Sequence, residues 1–121
     1  MSKKILIIDD NPDVVKVVGV RLKMNGYEVI TAADGMEGFE KVKQENPDLI
    51  LLDINMPNMD GFETLTKLKE DTQTASIPII MLTAQQQIDD LNKASNLGAV
   101  DYIVKPFNNR TLLEKIYKIL K

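Results

Sequence analysis

Five short apolar runs alternate along the chain with longer segments in which apolar residues recur every three or four positions. The runs cover residues 5–8, 27–31, 49–52, 78–82 and 100–104. Most are continuously apolar rather than alternating, the pattern of strands covered on both faces in a parallel sheet. At four or five residues each, they are too short for buried helices.

The segments between them carry helix start and stop signals. Asn11-Pro12 gives the first a cap and a first-turn proline, Val14, Val18 and Leu22 form one face, and Gly26 ends it. That helix is rich in β-branched residues and holds Gly19, so packing rather than propensity must support it. Asp34 with Glu37, and Asp60 with Glu63, have capping-box spacing at the start of the second and third helices. Phe39 and Val42, then Phe62, Leu65 and Leu68, fall at core-facing positions. The segment 85–97 is the weakest, polar and marked mainly by Ile88, Leu91 and Leu97, with Gly98 closing it. The last, 109–120, aligns Leu112, Ile116 and Ile119, and places Lys115, Lys118 and Lys121 where the helix dipole favours cations. Alternating βα units with right-handed crossovers predict an α/β fold with helices on both faces of the sheet. No repeat or linker interrupts the pattern, so the expectation is one domain over residues 1–121.

Composition narrows the chemistry. The net charge of −3 argues against nucleic acid or an anionic membrane as the main partner. With no cysteine there is no disulfide scaffold, thiolate nucleophile or Cys-based metal site. With no histidine there is no imidazole base, His ligand or phosphohistidine on this chain. Met1-Ser2-Lys3-Lys4 runs straight into the first strand and leaves no room for a secretory signal. No apolar stretch approaches the roughly 20 residues that span a bilayer. The expectation is a cytoplasmic domain that works with carboxylates, hydroxyls, lysines or bound ions.

In a parallel sheet all strand C-terminal ends lie along one edge, where ligands bind. The first run ends at Asp9-Asp10, the third at Asp53, the fourth at Thr83 and the fifth at Lys105. Each alone has a bland explanation: Asp10 as a helix cap, Thr83 as a strand residue, Lys105 as a solvated side chain. Asp53 is harder to dismiss, because a charge ending a buried run is costly unless paired. Three carboxylates in one pocket repel each other, and a hard, oxygen-binding cation is their natural counterweight. Magnesium fits best, since it accepts one or two carboxylates and keeps waters that face a phosphate. Thr83 and Lys105 then supply a hydroxyl and a point charge for phosphoryl oxygens.

Rivals on this topology match less well. A flavin mononucleotide protein wants a donor-rich loop after the first strand, where Asp9-Asp10-Asn11-Pro12 repels phosphate. The P-loop and dinucleotide fingerprints are absent. A magnesium-dependent phosphatase with a transient aspartyl phosphate would use the same carboxylates, but Asn55 stands where its second acid would serve. A purely structural interaction domain also remains open.

Ile7-Ile8-Asp9-Asp10, the stretch Asp53-Ile54-Asn55-Met56-Pro57-Asn58-Met59-Asp60-Gly61, Thr83-Ala84 and Lys105-Pro106-Phe107 resemble the response-regulator receiver domain of two-component signalling. The resemblance covers essentially the whole chain and includes the chemotaxis-type members. It implies a flavodoxin-like doubly wound (βα)5 sandwich, with a parallel sheet of order 2-1-3-4-5 and helices 1 and 5 on one face. It implies that Asp53 accepts a phosphoryl group from a histidine kinase or histidine phosphotransfer protein. By the same resemblance Asp10 and Asp53 ligate Mg2+, or Mn2+ in its place, Asp9 acts through water, and Asn55 offers its backbone carbonyl. Thr83 and Lys105 bind phosphoryl oxygens, Ala84 leaves them room, the Lys105–Pro106 bond is cis, and Tyr102 is the switch aromatic. The chain would catalyse its own phosphorylation and slow dephosphorylation rather than turn over external substrates. Output is expected from the surface of the fourth helix, fifth strand and fifth helix toward an unidentified protein or domain, from a monomer or a weak phosphorylation-dependent dimer. Asn55 and Gln85 occupy positions that tune phosphoryl lifetime in the family. Val100 precedes Asp101 where many DNA-binding members carry a second acid, so their dimer contacts are not fully matched.

Overall fold

Strands β1 (Lys4–Ile8), β2 (Glu28–Ala32), β3 (Leu49–Asp53), β4 (Ile79–Ala84) and β5 (Asp101–Lys105) form one parallel sheet in the order β2-β1-β3-β4-β5. They come from a computed structural model that describes residues 2–54, 56, 59–84 and 91–120. The three inner strands are almost wholly buried, which is what their uninterrupted apolar runs require. β2 and β5 stand at the sides of the sheet and are partly exposed.

Helices α1 (Pro12–Met24), α2 (Gly35–Glu45), α3 (Gly61–Glu70), α4 (Leu91–Asn96) and α5 (Asn109–Leu120) divide between the two faces. Alternate strand residues part the core accordingly. Ile5, Ile7, Leu49 and Leu51 pack with Val18 and Leu22 of α1 and with Leu112 and Ile116 of α5. Leu6, Ile8, Ile50 and Leu52 pack with Val42 of α2, Leu65 and Leu68 of α3, and Ala94 of α4. The architecture is the doubly wound, flavodoxin-like (βα)5 sandwich. Of the expected fourth helix, 85–97, residues 85–90 lie outside the described residues, and Gly98 follows the rest with φ of 111°.

The caps form as the residue types dictate. Asn11 accepts from the amides of Asp13 and Val14, Asp34 from Glu37, and Asp60 from Glu63. Around α2 the box closes one residue early, with the Glu37 carboxylate accepting from the Ala33 amide at 2.6 Å.

One glycine sets the geometry of the functional end. The Gly61 amide donates to Ile54 O at 2.8 Å, and a Cβ at Gly61 would lie 2.4 Å from the backbone carbonyl oxygen of Asp53. Only a bare Cα lets α3 start this close to the end of β3. Gly61→Ala is therefore expected to lower stability by about 1–3 kcal/mol, measured by urea unfolding. It should also shift the amide resonances of residues 53 and 54.

Candidate functional site

The parallel register carries the chemistry to one end of the sheet. Ile8 pairs with Leu52, Asp53 with Leu82, and Ala84 with Lys105, so Asp9, Asp53, Thr83 and Lys105 leave adjacent strands at the same level. Carboxylate oxygens of Asp9, Asp10 and Asp53 lie within 4.8 Å of one another. Asp9 and Asp53 are buried, whereas Asp10 is exposed.

Lys105 bridges the two buried acids of this cluster. Its Nζ donates to Asp9 Oδ2 at 3.0 Å and to Asp53 Oδ1 at 3.2 Å. Asp9 Oδ1 accepts from the Asn11 amide at 2.9 Å, so both Asp9 oxygens are engaged. Burial is the largest single influence on Lys105 and pulls its pKa down. The hydrogen bond it donates to Asp9 and the charges of Asp53 and Asp9 outweigh it, and the ammonium is held above its ordinary 10.5. The Lys105–Pro106 bond is cis.

Thr83 is fully buried at the end of β4, and its hydroxyl donates to Ala84 O at 3.2 Å. Tyr102 points outward, 40% exposed. Asn55 and Gln85 lie outside the described residues. Lys105 does more than the phosphoryl contact that its place at a strand end suggests. It also neutralises two buried acids, and the acids at the ends of neighbouring strands are the sequence signal for that pairing.

The donor set fits a divalent cation. One ammonium among three clustered carboxylates leaves two negative charges unbalanced, and all the donors are hard oxygens. For a dissociation constant on the order of 1 mM, about 10 mM Mg2+ is expected to add about 1.4 kcal/mol of stability. Thermal melts with and without Mg2+ check this, and Asp10→Asn should remove most of the shift.

A doubly wound sheet with an acidic, lysine-bridged C-terminal end defines a phosphoaccepting signalling domain. The chain belongs to the response regulator receiver domain family, whose family model matches residues 5–117. It is 42% identical over 118 residues to the DNA-binding dual master transcriptional regulator RpaA of Synechocystis, covering 98% of this chain and 49% of that protein. Protein PilH of Pseudomonas aeruginosa is 37% identical and is matched over 97% of both chains. Among solved structures, chemotaxis protein CheY4 of Vibrio cholerae superposes with a TM-score of 0.93 at 37% identity, over 99% of this chain and 100% of that one. The chain spans about half the length of the first curated relatives it matches, which are transcriptional regulators. As a receiver, it acts on its own aspartate rather than turning over an external substrate. Among the described residues, no helix is long and apolar enough to cross a membrane.

Proposed function

We propose that residues 1–121 act as one receiver unit in which Asp53 accepts a phosphoryl group from a partner's phosphohistidine. The observation that carries this reading is the clustering of the Asp9, Asp10 and Asp53 carboxylates, two of which, Asp9 and Asp53, are bridged by Lys105 Nζ. In the transfer, an Asp53 oxygen forms a bond to phosphorus as the phosphorus–nitrogen bond of the donor breaks. The electron pair stays on the imidazole. Asp10 and Asp53 would hold Mg2+ directly, Asp9 through water, with the Asn55 carbonyl as a further ligand. That ion supplies charge neutralisation for the phosphoryl oxygens. Lys105 keeps its charge throughout and stabilises the negative charge that arrives. Thr83 can exchange its bond to Ala84 O for one to a phosphoryl oxygen.

That exchange supports an output switch through α4, β5 and α5. Thr83 sits on β4 beside β5, and Tyr102 is the outward aromatic on β5. The basic count of residues 105–121, five Lys/Arg against one Glu, suggests an acidic partner helix. The structure reduces that contrast: Lys105 belongs to the acidic cluster, Arg110 pairs with Glu114, and Lys115 pairs with Asp101.

The donor has its own candidate surface. Val17, Val20 and Met24 of α1 are exposed, and Val17 lines a groove that continues to Lys105, Pro106 and Phe107. An apolar helix beside the donor's phosphohistidine matches this stripe. The double substitution Val20→Glu with Met24→Glu is expected to slow phosphotransfer from a phosphohistidine-bearing protein about tenfold. Labelling by a small phosphodonor should be unchanged. Equal loss with both donors would place the damage in the fold, and no loss with either would remove α1 from the docking surface.

A further inference from the structure

Tyr102 is held from an unexpected direction. Lys115 lies on α5, thirteen residues beyond it, and its Nζ makes three contacts to the same short stretch of β5. It sits 4.5 Å from the centroid of the Tyr102 ring, donates to the Tyr102 carbonyl oxygen, and pairs with Asp101 Oδ1 at 3.1 Å. Asp101 Oδ1 in turn accepts from the Tyr102 amide at 2.8 Å. Backbone and ring of one residue are thus gripped by a single ammonium.

On the α4 side of β5 lies a cavity of about 280 Å³, lined in part by Met81, Ala94, Ala99 and Tyr102. That volume is large enough to receive a phenol ring. The outward ring therefore has an inward alternative, and the cation over its face favours only the outward one.

We infer that Lys115 is a positioning residue that latches the Tyr102 ring outward and so sets how much of the unphosphorylated protein populates the switched state. The inference rests on the reading of Tyr102 as a switch residue. A cation above the electron-rich face of an aromatic ring attracts it, and the Asp101 carboxylate fixes where that cation stands. When the ring turns inward, the ammonium keeps its bonds to Asp101 and to the Tyr102 carbonyl and loses only the ring. Removing the charge forfeits those two bonds in both ring positions, so their loss cancels from the ring equilibrium and only the ring contact biases it.

The test uses protein labelled with 3-fluorotyrosine and read by fluorine NMR, the Tyr102 signal being assigned by its loss in Tyr102→Phe. Beryllofluoride with Mg2+ on the wild type marks the switched position, and the bound fluoride resonances in the same spectrum report whether the adduct forms. Without the mimic, Lys115→Met keeps the aliphatic stem and should move the Tyr102 signal toward that marker. The expected rise in inward population is about two- to five-fold. Lys115→Arg, which restores a cation, should return the signal to the wild-type position. A Met variant indistinguishable from wild type would overturn the latch, as would an Arg variant displaced as far as Met. If the adduct forms and the wild-type Tyr102 signal does not move, the switch reading of Tyr102 fails separately. The latch is then judged on whether Lys115→Met alone displaces the ring signal.

Discussion

Incubated with acetyl phosphate and Mg2+, the wild-type chain is expected to gain one phosphoryl group, and Asp53→Ala none. Three acids share the site, so the selectivity needs a reason. Asp9 has both oxygens engaged, one by the Asn11 amide and the other by Lys105, and its side chain is 0% exposed. Asp10 is exposed, where water competes for its charge. Asp53 combines a rim of access, at 7% side-chain exposure, with direct contact to the Lys105 ammonium. Attack by Asp53 displaces acetate, and the new acyl phosphate carries its charge beside that ammonium. Positioning and charge neutralisation make up most of catalysis in such transfers, and both converge on this one side chain. Intact-mass spectrometry reads the result directly. A mass gain persisting in Asp53→Ala at a comparable rate would move the acceptor to a neighbouring acid.

Lys105→Ala is expected to cost about 3 kcal/mol of stability in metal-free buffer, the lower end of the range for breaking a buried ion pair. The loss arises because Asp9 and Asp53 keep their burial and lose their counter-charge. Magnesium should stabilise this variant more than the wild type, since the ion meets carboxylates relieved of their ammonium. Phosphoryl-dependent output should nevertheless fall, because no fixed cation remains to draw toward the phosphate. The pH dependence has a definite sign. The Lys105 pKa is raised in the folded protein, so its contribution is complete below the ordinary 10.5 and is lost as pH rises through the higher folded value. Urea unfolding of wild type and variant should therefore differ most at neutral pH and converge in strong alkali.

The apolar runs located every strand to within one or two residues. The buried inner strands β1, β3 and β4 write themselves as nearly unbroken apolar residues. The partly exposed β2 and β5 show through runs that each carry one acid, Glu28 and Asp101. The acids, the buried threonine and the lysine fell at strand ends, and register then brought them together. What the pattern left hidden was pairwise. Lys115 reads as a dipole-favoured cation near a helix C-terminus, yet its ammonium is spent on Asp101 and Tyr102. No local spacing signals that contact, which joins two elements across a loop. Gly61 is another example: its sequence neighbours mark a helix start, while its need for a missing Cβ comes from the Asp53 carbonyl. Lys69 is a third. Burial lowers its pKa while its ammonium satisfies the carbonyls of Ala75 and Ile77, and its stem lies against Gly98.

The place of β1 in the strand order has a further consequence for how the chain can be divided. β1 is hydrogen-bonded to both β2 and β3, and β2 has no other neighbour in the sheet. These five residues are the splice between one side of the sheet and the rest, and they run directly into Asp9 and Asp10. A polypeptide beginning at Asn11 would lose its keystone strand and two of its three site acids in a single cut. Added back as a short peptide, residues 2–10 would have to restore architecture and ion affinity together, so neither can be recovered without the other.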